Sequence, residues 1–256
     1  MFPIRDSIPT RRFPIVNTIL IVLNILIFIL VQPAGGTEEE AIFFHLFGLV
    51  PERYLESGGG LLYYLPFLSN MFLHGGWLHL IGNVWTLYIF GDNVEDRMGK
   101  GRYLVFYLLC GLLGSLAHMA TNWGSPIPAI GASGAISGVM GAYLLLCPKS
   151  RISMLIPIFY IPFFFKIPAW AYLIYWFVLQ FFSGAQELFS QDGGSGAGVA
   201  FWAHIGGFVA GLGLKFLFAK RDYQEPEEFQ SYKLDPQYLK YGRSKGMHWD
   251  ENRGRP

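Results

Sequence analysis

Six stretches of this chain run for a helix's length almost without a charged side chain, and nothing else about it constrains the fold so tightly. Hydrocarbon offers no water to backbone N–H and C=O groups, so a segment crossing a bilayer must satisfy them internally, as a helix. About 20 apolar residues suffice to cross. The expected spans are Pro14–Val31, Trp77–Phe90, Tyr103–Ala120, Ala132–Leu146, Ala169–Phe182 (reaching toward Gln186) and Val199–Phe218. The second and fourth are short, so part of their surface must border water or protein rather than lipid. Only 14% of the residues are charged, and they gather between the stretches, which sets the chain apart from soluble domains. The expected fold is all-α: a polytopic membrane bundle of six transmembrane helices.

Loop charges orient it. Basic residues collect at Arg5, Arg11 and Arg12, at Arg97, Lys100 and Arg102, at Lys149 and Arg151, and at Lys215, Lys220 and Arg221. The alternate connections are poor in base: Gly35–Phe72 sets five glutamates against Arg53, Thr121–Ile130 is uncharged, and Ser183–Gly198 has Glu187 and Asp192. Basic loops stay cytoplasmic, which places both chain ends inside. The expected organisation is a cytosolic segment over 1–13, a membrane domain over 14–220 and a polar cytosolic tail over 221–256. The first span is long and lacks a small-x-small cleavage site, so it reads as a retained helix.

Two segments fit no span. The first loop, 32–73, carries short aromatic and apolar runs and reads as interfacial. Ile152–Ile167 is apolar but contains Pro157 and Pro162, which oppose a regular crossing. It is expected as an interfacial hairpin or a re-entrant stretch on the cytoplasmic side. The net charge is +1 and no basic stripe occurs, so no nucleic-acid partner is expected. Cys110 and Cys147 both fall in apolar segments and read as small buried hydrophobes. No internal repeat is evident, which weighs against a transporter built from inverted halves.

Polar groups inside spans are the candidates for chemistry. Ser133 opens the fourth span within Gly131-Ala132-Ser133-Gly134, and His204 lies about five residues into the sixth. His79 and Asn83 lie in the first turns of the second. All four fall at similar depth below the outer surface. A serine hydroxyl becomes a nucleophile when a base accepts its proton, a role His204 can take. His79 and Asn83, four apart on one helix face, can donate to a tetrahedral oxyanion beside the backbone N–H of Ser133. That N–H sits at a helix start, where donors are unpaired and the dipole favours negative charge. No Asp or Glu falls inside a span, which points to a Ser–His dyad rather than a triad.

Packing offers a plainer account of the same residues. Gly134-x-x-x-Gly138 and Gly207-x-x-x-Gly211 are spacings that let membrane helices approach closely. The two accounts are compatible, since such contact would bring the fourth span against the sixth. His118 reads as a helix–helix hydrogen bond, His74 as a tie for the first loop, and Glu95-Asp96-Arg97 as a cytoplasmic helix-end charge cluster. His74, His79 and His204 lack a fourth ligand and a suitable spacing, so no metal is expected. Position 135 is Ala, so the Gly-x-Ser-x-Gly elbow of soluble hydrolases is absent.

These residues together resemble the rhomboid family of intramembrane serine proteases. The resemblance rests on His74-Gly75-Gly76-Trp77-Leu78-His79-Leu80-Ile81-Gly82-Asn83, on Glu95-Asp96-Arg97-Met98-Gly99, on Gly131–Gly134, and on Ala203-His204 with Gly207 and Gly211. It covers roughly residues 14–218. It implies a six-helix fold and cleavage of single-span or otherwise membrane-anchored proteins near their helix ends. It also implies Ser133 as nucleophile, His204 as base, His79 and Asn83 at the oxyanion, and no cofactor. The expected setting is a multi-pass protein of a bacterial plasma membrane. Two positions depart from the pattern: Leu65-Pro66 stands where many members have Trp-Arg, and Ser137 where many have an aromatic stacked on the base. The alternative reading is a catalytically inactive relative that binds transmembrane clients.

Overall fold

The computed structural model describes residues 2–220 apart from 34, 56–58, 160 and 190–198. The tail expected over 221–256, and Asp192, lie outside the described residues. Helix α1 (Ile15–Leu30) is followed by α2 (Glu38–Phe47), two 3-10 turns, the single-turn α3 (Pro66–Ser69) and a third 3-10 turn. Then come α4 (Trp77–Met98), α5 (Lys100–Thr121), α6 (Ser133–Leu146), α7 (Ala169–Phe189) and α8 (Phe201–Phe218). The protein is mostly helical. Two of these helices, α5 and α8, are long and apolar enough to cross a membrane by length and composition, and α1 and α6 are shorter apolar helices.

A sheet corrects the all-α expectation. Strands β1 (Phe2–Arg5), β2 (Arg151–Ile158) and β3 (Ile161–Pro168) form one antiparallel sheet in that order. The apolar stretch with two prolines is therefore a β-hairpin, in register from Arg151↔Pro168 to Ile158↔Ile161. Pro157 and Pro162 face each other beyond Leu155, the last β2 residue paired with β1. There the sheet is two strands wide and a missing N–H disturbs fewer ladder bonds.

Helix α4 does not stop at Phe90, as expected, but runs on to Met98. Its last turns are held by protein rather than lipid, and Glu95-Asp96-Arg97 falls at the helix end, as expected. Glu95 and Arg97 are buried. The Glu95 carboxylate accepts the backbone N–H groups of Val16 (3.1 Å) and Asn17 (2.7 Å), and so caps the positive end of α1. The Arg97 guanidinium donates to the carbonyl and side-chain oxygens of Asn93. Nor is the first loop a plain loop. Thr37 caps α2 by accepting from Glu40 N–H, and the Glu40 carboxylate reaches back to Gly36 N–H at 2.7 Å. Further on, paired Leu49–Ala129 backbone bonds tie this region to the α5–α6 connection.

Glycines set how the helices meet. Helix α8 lies against both α5 and α6. A Cβ at Gly207 would stand 1.9 Å from the Gly134 carbonyl oxygen, and one at Gly211 1.9 Å from that of Gly138. On the neighbouring face, a Cβ at Gly206 would stand 2.3 Å from Ala117 Cβ of α5. Only hydrogen fits at these points.

Beneath the bundle, Asp6 fastens the N-terminal segment. Its carboxylate accepts from Asn93 of α4 at 2.9 Å and from the Tyr143 hydroxyl of α6. Burial pushes the Asp6 carboxyl up to about 6, against the opposing pull of Tyr143 and Arg97. A raised acid binds its proton more tightly in the folded state, so its contribution is fully present below the unfolded value near 3.9 and is lost as pH rises through 6. Melting temperature is expected to decline between about pH 4 and 6 in part through this group, and the decline should become shallower in Asp6→Asn.

Candidate active site

The turn before α6 places its first residue. Gly131 adopts φ +130°, and its N–H donates to the Asn70 carbonyl at 2.8 Å. A Cβ there would stand 2.8 Å from His79 Nε2, so both conformation and space call for glycine. Ser133 begins α6, and a first-turn N–H has no carbonyl one turn back to bond. From α8, His204 Nε2 lies 2.7 Å from Ser133 Oγ. The glycine contacts described above hold the two helices at the separation this requires.

His79 and Asn83 line the same cavity, of about 720 Å³, as Ser133 and His204. Gly75 N–H points at His79 Nδ1 from 3.3 Å, so Nδ1 acts as acceptor and the proton of a neutral ring belongs on Nε2. That nitrogen faces the Gly131–Ser133 turn. Asn83 Nδ2 donates to the carbonyl of His79 at 3.0 Å, and the residue is 7% exposed. The arrangement gathers a hydroxyl, an imidazole in contact with it, and further donors around one cavity. Such a set can form an acyl–oxygen bond and hold negative charge on the carbonyl oxygen.

Two residues absent from the sequence reading join them. Gln180 of α7 places Oε1 2.7 Å from His204 Nδ1, and Trp176, one turn earlier, holds its ring 5.9 Å from the imidazole centroid at 35°. The signal was present, since Gln180 is a polar residue inside the apolar run expected as the fifth span. Ser137, at the position expected to support the base, turns its hydroxyl to the Ser133 carbonyl at 2.6 Å.

The remaining polar candidates have structural partners. His74 ties the first loop through its backbone: the Gln32 side chain donates to its carbonyl at 2.6 Å and accepts from its N–H at 3.0 Å. Burial, with His79 beside it, pushes the His74 ring down to about 3, so it stays neutral near pH 7. His118 corrects an expectation: its ring meets Asn122, the residue that ends its own helix, at 3.3 Å rather than a neighbouring helix. Among the described residues no three His, Cys, Asp or Glu side chains gather as metal ligands. Cys110 and Cys147 are both buried, as expected of small apolar side chains.

Comparison with known proteins shows which family the chain resembles. The family model of the rhomboid domain matches residues 62–221, more than half of the chain. The chain is 35% identical over 139 residues to rhomboid protease GluP of Bacillus subtilis (strain 168), covering 54% of this chain and 26% of that protein. It is 30% identical over 178 residues to RHOMBOID-like protein 6, mitochondrial, of Arabidopsis thaliana, covering 70% and 50%. To the presenilin-associated rhomboid-like protein, mitochondrial, of Mus musculus it is 28% identical over 97 residues, covering 37% and 26%. The matched stretches thus span between about a quarter and a half of these relatives' own lengths.

Proposed function

The chain belongs to the rhomboid family of integral membrane proteins, and on that footing we propose that it is an intramembrane serine endopeptidase working through a Ser133–His204 dyad. The observation that carries this reading is the 2.7 Å contact between Ser133 Oγ and His204 Nε2, made inside a cavity shared with His79 and Asn83. Ser133 Oγ attacks the scissile carbonyl while His204 Nε2 takes its proton. The carbonyl oxygen, now negative, meets His79 Nε2–H, Asn83 Nδ2–H and the Ser133 N–H. As the C–N bond breaks, His204 returns the proton to the leaving amine. Water, deprotonated by the same imidazole, then releases the acyl group and regenerates Ser133.

In this reading α1 and α4 to α8 are six membrane spans, with the basic connections and both chain ends cytoplasmic. Water access follows from length. The 14 residues of α6 rise about 21 Å, less than the roughly 30 Å of a hydrocarbon core. Its first residue therefore lies below the outer surface in a cavity that water can fill. Substrates are membrane-anchored proteins, cut near the outer end of their spans, and the host is a bacterial plasma membrane.

The test is direct. The full chain in lipid vesicles is given a labelled single-span substrate and, separately, a fluorophosphonate. Cleavage together with labelling at Ser133 is the expected result. Binding of the substrate without cleavage or labelling would instead identify an inactive client-binding protein. Within the active reading, Asn83→Ala and His79→Ala should each lower kcat by about 10²-fold with little change in KM, because their hydrogen bonds strengthen only as charge develops.

A further inference from the structure

His204 is held on both sides. Ser133 Oγ lies 2.7 Å from Nε2, and Gln180 Oε1 lies 2.7 Å from Nδ1. An amide oxygen has no proton to give, so the Gln180 contact requires a proton on Nδ1. A neutral imidazole carries a single N–H, which leaves the Nε2 lone pair facing the serine hydroxyl. The opposite tautomer would put N–H against O–H and leave Ser133 without an acceptor. We propose that Gln180 is the positioning residue of this site: its amide oxygen selects the Nδ1–H tautomer of His204 and fixes the ring for proton transfer from Ser133. The proposal rests on the hydrolytic reading of the dyad.

The surroundings leave this task to α7. Ser137 is too short to stack on the imidazole, and its hydroxyl is occupied by the Ser133 carbonyl. Trp176 and Gln180 are four apart and share a helix face, so one element supplies both a flank and an acceptor. Where serine hydrolases place a buried carboxylate behind the base, this protein has a neutral amide. A neutral acceptor orients the ring without the desolvation cost of a charge among apolar helices. The proton taken from Ser133 remains on Nε2 until the leaving amine receives it. Gln180 accepts a hydrogen bond throughout and never a proton.

The experiment compares wild type with Gln180→Leu, which removes the acceptor, and Gln180→Glu, which keeps an oxygen in the same place. Gln180→Met serves as a second non-acceptor if the leucine variant unfolds. Each is scored by cleavage kinetics, by the fluorophosphonate labelling rate at Ser133, by melting temperature, and by 15N NMR of selectively labelled histidine. Gln180→Leu should lose roughly 10- to 100-fold in kcat with KM unchanged, and label proportionately slower. Its His204 signal should change from Nδ1–H to a mixture of tautomers, with melting temperature held. Gln180→Glu should retain activity within several-fold. The proposal is overturned if the leucine variant keeps both the wild-type rate and the Nδ1–H tautomer. It is equally overturned if the glutamate variant, still folded, falls as far as leucine, since packing would then be the cause. If wild type neither cleaves nor labels, the hydrolytic reading fails, while the histidine spectra still decide what Gln180 does.

Discussion

Replacing Ser133 or His204 by alanine is expected to reduce cleavage of a single-span substrate to background, a loss of roughly 10⁴- to 10⁶-fold in kcat. Each variant breaks the one contact through which the serine proton leaves. Nucleophile and base act as a unit, so the double variant should be no slower than either single one. Substrate affinity should survive, because the cavity walls formed by α4, α6 and α7 remain in place. Fluorophosphonate labelling separates the two: Ser133→Ala removes the labelled atom, whereas His204→Ala keeps it and slows its reaction. Turnover that persists in Ser133→Ala would remove the dyad from the mechanism altogether.

The second large effect is expected at Gly207. An alanine methyl there would meet the Gly134 carbonyl oxygen at 1.9 Å, and backbone cannot move aside as a flexible side chain can. Gly207→Ala should force α8 from α6 at an overpacking cost of about 1–3 kcal/mol. The functional loss should exceed that cost, because the same displacement lengthens the 2.7 Å contact between Ser133 and His204. Misplacing reacting groups by about 1 Å costs on the order of 10²-fold in rate. Gly211→Ala, set 1.9 Å from the Gly138 carbonyl oxygen, should behave alike. Gly213→Ala is the control: a Cβ there meets nothing within 4 Å, so melting temperature and rate should both hold. Thermal stability in detergent, read beside cleavage kinetics, checks all three.

Much of this was legible in the one-dimensional pattern. Helices α1, α6 and α8 begin and end within two residues of the apolar runs that announced them, because an uncharged run of fixed length reports helix ends directly. Ser133, His204, His79 and Asn83 stood out as polar residues at helix starts in apolar segments. Three elements were harder. The charged end of α4 reads as a boundary, yet Glu95 is buried because it caps α1, a partner 78 residues away. The segment Arg151–Pro168 carries a continuous apolar run that suits either a hairpin or a re-entrant stretch, and only its pairing decides. Helix α2 lies in a loop of mixed polarity that read as interfacial, and its first turn is held by Thr37 and Glu40 only once the chain has folded there.

Gln180 marks where such reading ends. Its type and its place inside an apolar run were plain, but the group it faces depends on how α7 is rotated against α8. Apolar length, loop charge and residue type are properties of single segments, so the chain by itself determined where the long apolar helices lie and singled out Ser133, His204, His79 and Asn83 as candidates for chemistry. The 2.7 Å contacts that join Ser133, His204 and Gln180 link three helices, α6, α8 and α7. They depend on crossing angle, rotation and depth, which glycine contacts such as Gly134–Gly207 set to within a fraction of an ångström. No periodicity encodes that geometry, and only the tertiary structure decided it.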